Sequence, residues 1–443
     1  MKRKTIRLLI FAAYLLSPLL FAAVAFRNRS STPIASFLGI VAYTWLVAGV
    51  IIASRPTFIE KYFSLDKLNK FHAVMAILSL SIGIIHKFWI TAVWGEVYGF
   101  STVYGDLAIV TFLAIAAFTI LIMTNWFGKW KLMKSIKTVL KKLPFAHYDN
   151  MKILHNFNIL AATFLAIHVL TMTFVVQGDI LAGTVLGAYF AIAVSLYVNH
   201  KFLKPMRLKK NLYTITSVQP EKGNILNVAM KPDQGEVFPY NAGQFVFMRV
   251  KDKRYPFEEH PFSLISAPQN RKEIAVAIKA AGDYTNKIQD LEPGVKVTVE
   301  GPYGGLWRIR EELQNTEDSL VLFAGGVGIT PLLGILEDIK HKQLPNKIVL
   351  VWSLKDQSEF GFAAQLQSYT ETIPDFNLVP FFANESGFLD AGKIQAIFQN
   401  KDVHYEKAQY LLCGPRPFME AIETALAEKG VPKNRIHFEA FAL

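Results

Sequence analysis

Two long apolar stretches of this chain each carry two histidines. The first runs from Phe71 to Trp94 and holds His72 and His86; the second runs from Met151 to Val176 and holds His155 and His168. A titratable ring inside a bilayer is costly and marks a functional site by default. Fourteen residues of helix rise about 21 Å and thirteen about 19.5 Å, so each pair sets one ring near each side of a hydrocarbon core. Placed side by side, the two helices present two His–His pairs stacked in depth. Neutral imidazole is the commonest metal ligand, and two imidazoles from opposite sides suit a haem iron. An isolated His in an apolar helix is ordinarily a hydrogen-bonded core residue, so the matched spacing is what argues for ligation. The thirteen-residue step carries a difficulty. At about 100° per residue it lands about 140° from the starting face, which requires a bend or two ligands approached from different sides.

Composition supports a membrane setting. The chain has 443 residues, of which 52% are hydrophobic. Residues 1–210 carry a net charge of +17 and the remainder −5. The basic half is also the apolar half, which points to membrane topology and away from nucleic acid. Six segments are long and apolar enough to span, at roughly 8–26, 35–54, 72–94, 105–125, 153–176 and 180–199. The first is read as a retained signal anchor. With the N-terminus inside, the cytoplasmic segments hold about 20 Lys and Arg, and the outer loops hold only Arg27, Arg29 and Lys87. His72 and His155 then lie at the cytoplasmic depth, and His86 and His168 at the outer depth. The stretch 126–150 is basic and amphipathic, as in a helix lying on anionic lipid. The single cysteine, Cys413, excludes a disulfide framework, and no Cys-x-x-Cys-His site exists for covalent haem.

After Lys210 the character changes. LYTITSV, ILNVAMK, QFVFMRV, EIAVAIKA and VKVTVEG are short, β-rich and separated by turn residues, which predicts an antiparallel β-barrel. From about Ser319 strands alternate with helices: SLVLFAGG before GITPLLGILEDIK, KIVLVWSL before a helical stretch, AQYLLCGP before RPFMEAIETALAEK. That alternation predicts an α/β domain with a parallel sheet of dinucleotide-binding type. The fold class is therefore a multi-domain membrane protein. It comprises a six-helix transmembrane bundle (1–208), an antiparallel β-barrel domain (209–312) and an α/β parallel-sheet domain (313–443).

Gly325, Gly326 and Gly328 lie between a buried strand and a helix beginning near Pro331, where a helix N-terminus favours a pyrophosphate. Lys355, at the end of the next strand, is a candidate to meet the 2′-phosphate of NADPH, with an ordinary solvated lysine as the equal alternative. The stretches EEHPFSLISAP (258–268), IKAAGDYTNKI (278–288) and GPYGG (301–305) come from the barrel segment.

In this order and at these distances, the motifs resemble the ferredoxin-reductase-like module. With the six helices and paired histidines, the whole chain is similar to the NADPH oxidase and ferric reductase family of transmembrane flavocytochromes b, including its bacterial members. The thirteen-residue spacing is itself a family feature. The resemblance implies that His72 and His155 ligate an inner b-type haem and His86 and His168 an outer one. It implies that His260, Pro261, Phe262 and Ser263 line the flavin of FAD, and that Gly282, Asp283 and Thr285 hold the FAD phosphates. Gly325, Gly326, Gly328, Thr330 and Pro331 would receive the pyrophosphate of NADPH or NADH, with Cys413, Gly414 and Pro415 by the nicotinamide. Phe441 would stack on the isoalloxazine, with Glu439 near the nicotinamide, so that Phe441, Cys413 and Glu439 form the catalytic set. His-Pro-Phe-Ser stands where soluble members have Arg-x-Tyr-Ser. Ile90 stands where animal oxidases carry a further histidine, and Lys87 is a candidate for positive charge near the outer haem. No EF-hand loop is present.

The implied activity is electron transfer from cytoplasmic NADPH through FAD and two haems to an outer-face acceptor, in the plasma (inner) membrane. Dioxygen giving superoxide fits most simply, because the short outer loops hold no evident iron site. A ferric or other metal-chelate reductase with the same path is the alternative, and a redox-sensing transporter or channel without haem is an alternative of another class. The expected partners are a small electron acceptor and lipid, with no nucleic acid and no obligatory protein partner.

Overall fold

A computed structural model describes residues 3–25, 33–60, 62–63, 65–95, 99–123, 135, 148–208, 212–313 and 316–438. The basic stretch 126–150 therefore lies almost wholly outside the described residues, as do Glu439 and Phe441. The chain divides into two compact units, Met1–Tyr62 with Lys67–Leu203, and Phe63–Asp66 with Lys204–Leu443.

The first unit is helical. Its long helices are α1 (Arg3–Ala25), α2 (Pro33–Ala53), α3 (Leu65–Trp94), α4 (Phe100–Met123), the pair α5 (Tyr148–Asn156) and α6 (Asn158–Leu170), and α7 (Ile180–Val198). Among the described residues, six helical spans are long and apolar enough to cross a membrane. Many of their large apolar side chains face outward, among them Leu8, Leu20, Val110 and Ile180. In water such a surface would be unstable, whereas lipid solvates it. Contacts between helices use small residues: Ala161, Ala162, Ala166, Ala182 and Gly183 are all buried. Small residues let helix backbones approach where no hydrophobic effect drives them together. Tyr43 lies in this buried layer and donates its hydroxyl to the Leu186 carbonyl at 2.8 Å.

The fifth span is not one helix. It breaks at Phe157, between His155 and His168, where the Phe157 N–H bonds the Leu154 carbonyl three residues back. A turn of that kind advances about 120° per residue instead of about 100°. It carries His168 part of the way back toward the face of His155. Immediately after α6, residues Thr171–Val176 form a wider π-helical turn.

The second unit opens with the short helix α8 (Lys204–Leu208), followed by strands β1 (Leu212–Glu221), β2 (Ile225–Pro232), β3 (Phe245–Val250), β4 (His260–Ser263), β5 (Ile274–Lys279) and β6 (Lys296–Tyr303), with helix α9 (Asp283–Lys287) before β6. The strands form one antiparallel sheet in the order β4-β3-β6-β1-β2-β5. It curls until its edges meet at a single bridge, Leu264 to Val276, beside an Ile265 N–H bonded to the Ala275 carbonyl. The sequence read His-Pro-Phe-Ser only as a motif; the structure makes it an edge strand. Helix α8 is pinned to β6, with Lys204 Nζ 2.7 Å from Glu300 Oε1 and 2.9 Å from the Tyr303 hydroxyl, which itself donates to Glu300.

Beyond α10 (Arg308–Leu313) lies a parallel sheet of β7 (Ser319–Gly325), β8 (Ile348–Leu354), β9 (Phe376–Phe382), β10 (Ala408–Cys413) and β11 (Ile436–Phe438), ordered β11-β10-β7-β8-β9. Helices α11 (Ile329–Lys342), α12 (Ala363–Thr372), α13 (Ala391–Lys401) and α14 (Arg416–Glu428) connect them. The outer strands β9 and β11 went unread in the sequence, because FNLVPFF holds a proline and IHF is three residues long. Helix α11 packs on the curled sheet at Gly334, where a Cβ would overlap the Leu264 carbonyl. Buried Asp338 on the same helix accepts from Gln269 at 2.7 Å. Because Gly334 faces backbone, a larger residue cannot be relieved by a rotamer change. Gly334→Val is expected to destabilise this unit by about 2 kcal/mol, read as earlier release of flavin fluorescence on heating; an unchanged transition would mean that α11 retreats freely.

Candidate functional site

In the helical unit the four histidines meet in two pairs. His72 on α3 and His155 on α5 have ring centres 6.2 Å apart and planes at 75°. With a metal–nitrogen bond of about 2.0 Å and about 1.1 Å from nitrogen to ring centre, two imidazoles across one ion have centres about 6 Å apart. His86 and His168 line a common cavity of about 780 Å³, within the roughly 300–1,000 Å³ usual for sites that hold a cofactor-sized ligand. Among the described residues that line it there is no Asp, Glu, Lys, Arg or Cys, and Ile90 is one of them.

The other nitrogens set the tautomers. His86 Nδ1 lies 2.7 Å from the Ala35 carbonyl, and His168 Nδ1 lies 2.9 Å from the Ser101 carbonyl. A carbonyl only accepts, so each Nδ1 carries the proton and each Nε2 keeps the lone pair a metal needs. His155 Nδ1 lies 3.3 Å from the Asn158 side-chain amide, which leaves Nε2 its lone pair only when the amide oxygen, and not the NH2, faces the ring. These residues fit two bis-imidazole haem sites. Lys87, next to His86, is not a free positive charge: its Nζ is 2.6 Å from Asp106 on α4.

In the second unit the two barrel motifs come together through a ring stack. His260 lies flat on Tyr284, with centres 3.9 Å apart and planes at 14°, and its Nε2 is 2.9 Å from Glu258. Burial pushes the Tyr284 hydroxyl up to about 12, so it stays neutral at physiological pH. Phe262 and Ser263 are buried, Phe262 among the barrel core residues, while His260 and Pro261 are half-buried. Gly282 precedes α9, and Thr285 Oγ1 accepts from the N–H groups of Ala281 and Gly282 at 3.1 and 3.0 Å. Asp283 opens that helix. Glu258 and Tyr284 were not singled out from the sequence, although Tyr284 stands inside the motif that was.

The parallel sheet reverses its strand order between β7 and β10, and ligands in such sheets bind at that switch point. Gly325 ends β7, and a 3-10 turn spans Gly326–Gly328 with Gly326 at φ +53°. Helix α11 then starts at Ile329, two residues before the expected Pro331, so Thr330 and Pro331 sit inside its first turn, both buried. Cys413 ends β10, fully buried, with Gly414 and Pro415 following. A Cβ on Gly328 would overlap the Cys413 carbonyl, and one on Gly325 would be 3.0 Å from Pro415. The two loops are thus pressed together through glycine alone. Trp352 Nε1 donates to the Gly326 carbonyl at 2.8 Å and fixes the turn from β8. Lys355 is exposed at the end of β8, and its N–H donates to Glu359, whose carboxylate also pairs with Lys279 at 3.2 Å. Hydrogen bonds from Ser358 hold the neighbouring Asp356 carboxyl below its usual range. The Lys355 edge is therefore of mixed charge.

Two family models match the second unit: an FAD-binding domain over residues 210–306 and an oxidoreductase NAD-binding domain over residues 322–424. The chain is similar to ferric reduction oxidase 7, chloroplastic, of Arabidopsis thaliana, with 30% identity over 237 residues, 48% of this chain and 29% of that protein. It is similar to respiratory burst oxidase homolog protein D of Solanum tuberosum, with 31% identity over 179 residues, 36% of this chain and 20% of that protein. It is also similar to the ferredoxin reductase component of 3-ketosteroid-9-alpha-monooxygenase of Rhodococcus rhodochrous, with 28% identity covering 52% of this chain and 64% of that protein. The chain spans less than two thirds of the length of each. Its paired FAD- and NAD-binding domains make it an oxidoreductase, and the second unit is similar to ferric reductases and NADPH oxidases.

Proposed function

We propose that this protein carries electrons across a membrane, from NADPH or NADH through FAD and two b-type haems to a small acceptor on the far side. The observation that carries this reading is the pairing of four histidines in one apolar bundle, His72 facing His155 at 6.2 Å and His86 sharing a cavity with His168. Bound FAD accepts a hydride and releases its electrons singly, and haem iron relays one at a time.

The protein's part is to hold and orient. His72 and His155 ligate the inner haem and His86 and His168 the outer. His260, kept flat by Tyr284 and oriented by Glu258, lines the flavin with Pro261, Phe262 and Ser263. Gly282, Asp283 and Thr285 shape the turn that meets the FAD phosphates. Gly325, Gly326, Gly328, Thr330 and Pro331 receive the dinucleotide pyrophosphate, Lys355 lies by the adenosine end, and Cys413, Gly414 and Pro415 back the nicotinamide. Glu439 and Phe441 complete the catalytic set with Cys413. The basic segments support a cytoplasmic N-terminus and cytoplasmic reductase domains at the plasma (inner) membrane, with domain limits at 208/209 and 312/313.

Dioxygen, yielding superoxide, is the acceptor this reading favours. His86 and His168 would hold the outer haem, which would supply single electrons to an acceptor in the cavity beside them. The described residues lining the cavity beside His86 and His168 are uncharged, which suits a small neutral molecule better than a charged chelate. A ferric reductase is the second reading, supported by the likeness to ferric reduction oxidase 7.

His86→Ala is expected to lose the outer haem and electron export while keeping the inner haem and NADPH-driven reduction of a soluble dye by the flavin. Loss of neither haem would sink the assignment. In an acceptor competition, air should give dismutase-sensitive superoxide at a rate that added ferric chelate does not exceed; a chelate rate well above the oxygen rate would move the protein to metal reduction.

A further inference from the structure

The outer histidines are each held by the same two-part arrangement, on different helices. His86 Nδ1 meets the Ala35 carbonyl, and a Cβ on Gly39, four residues later, would lie 3.0 to 3.3 Å from three atoms of the His86 ring. His168 Nδ1 meets the Ser101 carbonyl, with Ser101 Oγ also 3.2 Å away. A Cβ on Gly105, again four residues later, would lie 3.0 Å from that nitrogen.

Inside a helix the carbonyl of residue i already accepts from the N–H of residue i+4. A second donor must reach its remaining lone pair from the side. The Cβ of residue i+4 tilts back toward the helix N-terminus and covers that approach. Glycine leaves it open, although glycine inside a helix is less favourable than alanine. Gly39 and Gly105 both lie inside long helices. A small-xxx-Gly stretch in an apolar helix ordinarily reads as a groove for another helix; here each groove holds an imidazole ring.

We propose that Gly39 and Gly105 are positioning residues for the outer haem. Each opens a helical carbonyl to an imidazole Nδ1–H and so fixes the tautomer and the tilt that aim Nε2 at the metal. The inner pair is built differently. A Cβ on Gly49 would meet the His72 ring only at an ordinary 3.6 Å, and His155 is met by the Asn158 side chain. The two haems therefore differ in their sensitivity to an added methyl group.

This inference rests on the proposed function and is tested in the full-length purified protein. Gly39→Ala, Gly105→Ala and Gly49→Ala are compared with wild type by haem content, the low-spin paramagnetic resonance signals of the two haems and their midpoint potentials. NADPH-driven flavin reduction in the same samples reports folding. The expected result is a changed signal and potential, or loss, of the outer haem in Gly39→Ala and Gly105→Ala, with the inner haem unaltered, and both haems unaltered in Gly49→Ala. An outer haem identical to wild type in both variants would overturn the inference while leaving the proposed function standing. Equal disturbance of both haems would also overturn it, since a general packing defect would then explain the result. A wild-type protein that folds and binds FAD but carries no haem would remove the proposed function and this inference with it.

Discussion

An imidazole in an apolar bundle has two nitrogens and no water to satisfy them, and the organisation of the helical unit follows from that constraint. At the outer pair Nδ1 is satisfied by carbonyls of α2 and α4. Meeting that demand needs glycine one turn beyond the carbonyl. It leaves Nε2 facing the interior, where only a proton donor or a metal can meet its lone pair. The cavity beside His86 and His168 is the counterpart of that demand. The break at Phe157 belongs to the same account, since a straight helix would carry His168 to a face far from that of His155.

The second unit solves another problem, bringing two polyanionic ligands to neighbouring edges of two sheets. A curled antiparallel sheet presents His260 and the Gly282 turn, and a parallel sheet presents its switch point. Close approach is obtained by omission of side chains. Gly328 lies against the Cys413 carbonyl and Gly334 against the Leu264 carbonyl. One glycine presses the two switch-point loops together and the other brings the two sheets within working distance.

Much of this was legible in the sequence because the signals are local. Hydropathy marks the six spans, the His spacing marks the depths, and Gly-Val-Gly-Ile-Thr-Pro and Cys-Gly-Pro fall at strand ends where the switch point forms. What escaped is set by tertiary contact. Gly39 and Gly105 look like ordinary small residues until a ring is found against them, though glycine inside a helix was a signal open to reading. Phe157 carries no helix-breaking chemistry, so the interruption reflects the packing of α5 and α6. Lys87 read as an available cation, but its ammonium pairs with Asp106, which the linear order hides; near Lys355 the Glu359 carboxylate takes the Lys355 backbone N–H and pairs with Lys279. Strand β4 was masked by its proline, which an edge position tolerates.

The central claim is that the histidine pairs and the reductase domains form one electron path. The most direct measurement is an anaerobic absorption spectrum of the purified, FAD-loaded protein before and after NADPH. The account predicts b-type haem bands that become reduced once the flavin is reduced. A folded protein whose flavin bleaches with NADPH but which shows no haem bands, or haem bands that remain oxidised, would contradict it.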